Sequence, residues 1–313
     1  MNIKKWLARG AIAALAVALA AGGFVYWELR SLGFFRAPVY DTRAPDIPEL
    51  RHPALLVFSK TNGFIHKEAI PAANALFERL AAQHGWSIYF SENGAINNTA
   101  DLQRFDVVIW NNVTGDVLTP AQQADFKTWL EHGGRWLGIH GSGGDHFSWT
   151  WFVENVVAAE FVGHTMSPQF TQAEVVFENT DHPLLAGLPA RLRWTDELYS
   201  FKNTPRDRVH VLATLDESSY LDKQTFNIST LTMGDHPVIW WRPVGEGIAV
   251  YSALGHTTQA YASPDYQRFL ENALLWLMHE RAMPGGNVKG CQSQCSDDIP
   301  SMPQIGTSWS HHR

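Results

Sequence analysis

The stretch Trp136-Leu-Gly-Ile-His140-Gly-Ser-Gly-Gly-Asp145 decides how the rest of the chain is read. A short apolar run ends in a histidine, a glycine-rich turn follows, and an amphipathic segment occupies residues 148–159. That order describes a buried strand, a tight turn and a helix. Ligands of open α/β sheets bind just past the carboxyl ends of the strands, so His140 is expected at such a rim.

Working toward the N-terminus, the same alternation holds. Ala54-Leu-Leu-Val-Phe-Ser59 reads as a fully buried strand. Residues 67–84 carry Ile70, Ala73, Leu76, Phe77 and Leu80 at helical spacing. Residues 86–90 and 106–110 read as two more strands. Thr119-Pro120 opens a helix, with threonine as cap and proline at its first position, and Gly133-Gly134 ends it. Residues 135–139 are the next strand. Continuously apolar strands alternating with helices predict a parallel sheet covered on both faces, wound with right-handed crossovers. Toward the C-terminus the pattern turns β-rich. Strands are expected at 173–177, 209–215, 237–241 and 248–252, with a hairpin turn at Val244-Gly-Glu-Gly247 and a closing amphipathic helix over 265–278.

The chain has 313 residues, 45% hydrophobic and 18% charged, the balance of a globular protein. Its formal net charge of −7, without a basic stripe, argues against a nucleic-acid partner. The 13 tryptophans could stack on sugar rings, although buried tryptophan more often serves the core. Lys4, Lys5 and Arg9 precede an apolar run from Ala11 to Trp27. Such a start describes an uncleaved signal anchor or, with Ala18-Leu19-Ala20 as a cleavage site, a signal peptide. The anchor reading puts residues 1–30 in the inner membrane and the folded body outside, in the periplasm of a Gram-negative cell. Residues 31–52, with Pro38, Pro45 and Pro48, are expected to form a stalk, residues 53–281 the globular domain, and residues 282–313 a disordered tail. The only cysteines, Cys291 and Cys295, lie in that tail and can pair in an oxidising compartment.

Polar residues gather where strands end. Asn62 and His66 follow the first strand, Asn111 and Asn112 the third, His140 the fourth, and His256 a late one. In a parallel core these ends converge on one rim. Phe161-Val-Gly-His164 ends a helix-like stretch and can point into the same cleft. In Asp196-Glu197-Leu-Tyr199 the two carboxylates face opposite ways, so Glu197 and Tyr199 share a face. Glu197 suits general acid or base work, and its bland alternative is a salt bridge to Arg193 or Arg242. His66, His140, His164 and His256 could hold a divalent metal only through the fold, since no pair has local ligand spacing. The strand–turn–helix around His140 has the form of a nucleophile elbow, but histidine stands where cysteine or serine would act. This argues against glutaminase and serine-hydrolase chemistry. Phosphate-binding glycine fingerprints are absent.

The ordered set Asn62-Gly-Phe-Ile-His66, Gly138-Ile-His140-Gly, Phe161-Val-Gly-His164, His182-Pro183, Asp196-Glu197-Leu-Tyr199, Pro237-Val-Ile-Trp240 and Leu254-Gly-His256-Thr resembles the ThuA-like domain across residues 53–280. The resemblance implies an α/β, flavodoxin-like three-layer sandwich of the class I glutamine amidotransferase-like superfamily, and a link to trehalose or related sugar utilisation. It directs attention to His66, His140, His164, Glu197 and His256. The expected function is that of a carbohydrate-active enzyme with His140, Glu197 and His66 as catalytic residues. Asn62, Asn111, Gly141, His164, Tyr199 and His256 would bind the saccharide, flanked by aromatics such as Tyr199 and Trp149. The alternatives are a sugar-binding scaffold and a metal-dependent hydrolase.

Overall fold

The computed structural model describes residues 3–144, 148–221 and 231–279. The expected tail and Cys291 and Cys295 lie outside the described residues. Eleven strands are present among the described residues: β1 Ala54–Phe58, β2 Ser87–Ser91, β3 Val107–Asn111, β4 Arg135–Ile139, β5 Phe161–His164, β6 Phe170–Phe177, β7 Arg191–Glu197, β8 Tyr199–Phe201, β9 His210–Asp216, β10 Pro237–Val244 and β11 Gly247–Ser252. The helices are α1 Ile3–Ser31, α2 Ala69–His84, α3 Thr99–Leu102, α4 Pro120–Glu131, α5 Thr150–Phe152, α6 Thr258–Ala262 and α7 Pro264–His279.

Nine strands form one sheet in the order β2-β1-β3-β4-β11-β10-β9-β6-β7. The first five run parallel, and the remaining four continue the sheet antiparallel. The fold is therefore a flavodoxin-like α/β sandwich with a β-rich second half. β1 and β3 are buried along their full length, as strands covered on both faces must be. Adjacent residues of β3 show the three layers. Trp110 packs on Phe126 of α4 and Phe152 of α5, while Asn111 donates to the carbonyl of Ile70 and to Asn74 on α2. α4 begins with the expected Thr119 cap, completed by Gln122 into a capping box.

Three local expectations need correction. Phe161–His164 is a strand, not the end of a helix; it pairs antiparallel with β8, with His164 opposite Tyr199. The amphipathic stretch after the glycine-rich turn forms only α5 and a π-helical turn, Val153–Val157, rather than a regular helix. Of residues 31–52, read as a stalk, Ser31 ends α1 and residues 33–52 run along the domain as a strap. Asp41 pairs with Lys60 at 2.7 Å and accepts from the Gly94 amide. Arg36 donates to the carbonyls of Thr61 and Gly63, and Arg104 to those of Ile47 and Pro48. Ahead of the strap, Arg9–Ser31 has 23 residues and mean hydropathy 1.8, and it is long and apolar enough to cross a membrane.

Candidate functional site

The parallel strands β1, β4 and β11 end on one rim, and the antiparallel sequence β10, β9, β6, β7 brings the end of β7 to the same side. Four side chains meet there: His66 from the loop after β1, His140 directly after β4, Glu197 at the end of β7, and His256 from the loop after β11. Their donor atoms all lie within 4.8 Å of one another. The imidazole centroids of His66, His140 and His256 are 4.7 to 5.0 Å apart. Glu197 Oε2 lies 3.0 Å from His256 Nδ1 and 3.3 Å from His140 Nε2. Its other oxygen accepts from Gln169 Nε2 at 2.7 Å and lies 3.1 Å from His164 Nδ1.

Backbone and packing set each position. His140 adopts a positive φ of 46°, a left-handed conformation that costs a β-carbon residue energy. Tyr251 donates to its carbonyl, and His140 Nδ1 donates to the carbonyl of Ala253 at 2.7 Å. Gly141 leaves the room that His66 fills: a Cβ there would come within 2.9 Å of the His66 ring. Asp196, fully buried, turns away from the cluster. It accepts from the Gly255 and His256 amides and from Trp194 Nε1, and so fixes the loop that carries His256.

Charge follows from this packing. Burial alone would raise the carboxyl pKa of Glu197, but the hydrogen bonds and charges of His140 and His256 hold it well below the usual range. Burial, followed by the neighbouring His140 and His256, pushes His66 well below the ordinary imidazole value. Burial pushes Asp196 up. Glu197 is thus an anion at neutral pH, and His66 is neutral.

His66 and His256 also line a groove of about 620 Å3, with Phe64 and Phe170 as aromatic walls and Leu32 at its edge. His140 is 0% exposed and Glu197 3%, so neither forms the groove surface. Tyr199 packs its ring 4.1 Å from that of His140. Of the other expected residues, Gly141 lies beneath His66 and His164 sits behind Glu197. Asn62 is not brought to the cluster; it clasps the backbone of Val39 in the strap and donates to the carbonyl of Asp116. Asn111 is buried between β3 and α2. Trp149, expected as a sugar platform, stacks on Phe152 in the core. The bland alternative for Glu197 does not hold, since its partners are histidines and Gln169 rather than Arg193 or Arg242.

Sequence reasoning missed Asp196 as a loop holder, Gln169, and the aromatic pair Phe64 and Phe170. For Asp196 a signal existed: a carboxylate on the opposite face from Glu197, beside a strand end, needs donors. Phe170 starts a strand that pairs with β7, and Gln169 immediately precedes it, a register that no local pattern discloses.

Comparison with known proteins agrees with this architecture. The family model ThuA, described as trehalose utilisation, matches residues 54–277. A protein described as ThuA-like from Bacteroides uniformis ATCC 8492 superposes with a TM-score of 0.64 at 20% identity, over 75% of this chain and 95% of that one. A second, from Parabacteroides merdae ATCC 43184, gives a TM-score of 0.56 at 15% identity, over 73% and 91% of the two chains. Curated protein sequences give no match. With the family match spanning most of its length, the chain belongs to the ThuA family.

Proposed function

We infer that this chain is an exported, membrane-tethered enzyme that acts on a trehalose-type or oxidised disaccharide at the His/Glu cluster. The observation that carries this reading is the position of the cluster. The buried His140–Glu197 pair sits directly behind His66 and His256, which line a groove with two aromatic walls, Phe64 and Phe170. Aromatic faces suit the apolar faces of sugar rings, and the groove volume is of the order that a small ligand occupies. The family's description as trehalose utilisation points to the same substrate class. The apolar helix Arg9–Ser31, behind a basic start, supports the tether and the export.

In this reading Glu197 stays ionised and orients the imidazoles of His140 and His256 through one oxygen. The cluster then moves a proton on or off a sugar hydroxyl, or a carbon beside a carbonyl. The test is incubation of the purified full chain with trehalose, ordinary disaccharides and their 3-keto forms, with products followed by NMR. Turnover that falls at least about 100-fold in Glu197→Gln is expected for an acid–base group of this kind. Tight saccharide binding without product would instead assign the groove to a binding protein.

A further inference from the structure

We propose that His66, His140, Glu197 and His256 bind one first-row divalent transition-metal cation. The first ground is convergence. His140 Nε2, His256 Nδ1 and Glu197 Oε2 form three mutual contacts of 3.0, 3.0 and 3.3 Å. The Ala253 carbonyl, 2.7 Å from His140 Nδ1, can only accept, so Nδ1 carries a hydrogen and Nε2 is the ring atom turned to the cluster. His66 Nδ1 adds a further nitrogen that is buried without a hydrogen-bond partner. These buried ligand atoms from four side chains face one another, an arrangement that a cation between them would satisfy.

The second ground is geometry. The three contacts make a nearly equilateral triangle. A cation roughly 2.1 Å from each corner would sit about 1 Å above its plane, and neighbouring ligands at that bond length stand roughly 3.0 to 3.4 Å apart in octahedral or tetrahedral sites. Two imidazoles and a carboxylate on one triangular face are a donor set suited to iron, zinc and related ions. His66 is the fourth donor of the set. The third ground is the outer shell. His140 gives its remaining ring N–H to a backbone carbonyl, the second oxygen of Glu197 is fixed by Gln169, and Asp196 holds the His256 backbone. Metal ligands are held in this manner.

His66 and His256 line the groove, so the cation would lie at its floor. There it would polarise a saccharide carbonyl or hydroxyl as a Lewis acid. This extension rests on the saccharide reading; the metal site itself does not. The experiment uses the full chain in detergent, purified without a histidine tag and stripped of metal, then titrated with Co2+, Zn2+, Mn2+ and anaerobic Fe2+. Saturation at about one equivalent is expected, with visible Co2+ absorption and a rise in Tm on loading. Glu197→Gln and His140→Asn should weaken binding roughly 100-fold or more, while His84→Ala, a surface control, leaves it unchanged. Circular dichroism of the metal-free variants verifies that they are folded. The proposal is overturned if the folded chain binds none of the four ions saturably, or if binding survives both ligand substitutions. A loaded chain inert to every saccharide would sink the substrate reading alone, and full turnover by metal-free protein would sink the Lewis-acid role alone.

Discussion

At the scale of single residues, the site depends on what His140 and Gly141 allow. A left-handed backbone is tolerated by asparagine far better than by a β-branched residue. His140→Asn is therefore expected to keep a Tm within a few degrees of the parent. His140→Val is expected to lose about 2 kcal/mol or more, measured by thermal melts; equal melting of the two would show that the turn relaxes freely. Gly141→Ala would bring a Cβ within 2.8 Å of Thr114 Cγ2 and 2.9 Å of the His66 ring. Overpacking of this kind costs about 1–3 kcal/mol, so a Tm some 2–10 °C lower is expected. Asp196→Ala would remove the acceptor of three backbone amides, those of Glu197, Gly255 and His256, and of the Trp194 indole N–H. A loss of about 3 kcal/mol is expected by denaturant titration, because a buried donor left unpaired costs about 1–3 kcal/mol and part of that loss is recovered by relaxation. A change below about half a kcal/mol would mean the His256 loop is held by other contacts.

At the scale of elements, the packing of β10 against α7 depends on pH. His182 lies between Trp241 and Trp276, caps a short helical turn by accepting from the Leu184 amide, and has its pKa lowered by burial, and then by His210, from 6.5 to about 4. The folded chain thus favours the neutral ring, and between those two values the unfolded chain binds the extra proton. Stability is complete above about pH 6.5 and declines as pH falls toward about 4, by at most about 3 kcal/mol. His182→Asn, which can still cap, should flatten this acid limb in Tm measured against pH; an unchanged slope would place the titration elsewhere. The elements that announced themselves in the sequence are those whose burial is local. β1, β3 and β4 are apolar runs with no alternation, and Thr119-Pro120 marks α4 by its cap chemistry. β5 was hidden because four residues, one of them glycine, carry no period of two, and it exists only through its pairing with β8. The histidines of the cluster were visible as strand-end residues. Asn62 and Asn111 carry the same signature yet satisfy backbone groups, and strand-end position alone does not separate the two roles.

At the scale of the whole molecule, the strap over residues 33–52 joins the N-terminal helix to the site. Arg36 holds the carbonyls of Thr61 and Gly63 at 3.2 and 3.1 Å, at the base of the loop that ends in His66. Arg36→Ala is expected to speed amide exchange over residues 61–66 while exchange in β3 and β4 stays slow; unaltered exchange in the loop would mean the strap is only a passenger. Cleavage at Ala18-Leu19-Ala20 would leave the strap in place, so a processed and an unprocessed chain would share one site. The end of α1 reaches further still. The Leu32 carbonyl accepts from the Ile65 amide, Ser31 accepts from Lys67 Nζ, and Leu32 borders the groove itself. Where Arg9–Ser31 crosses a bilayer, the groove mouth stands within a residue or two of the point where the chain leaves the lipid. On the saccharide reading, headgroups beside the groove would set a height limit that favours a disaccharide over a branched or polymeric glycan.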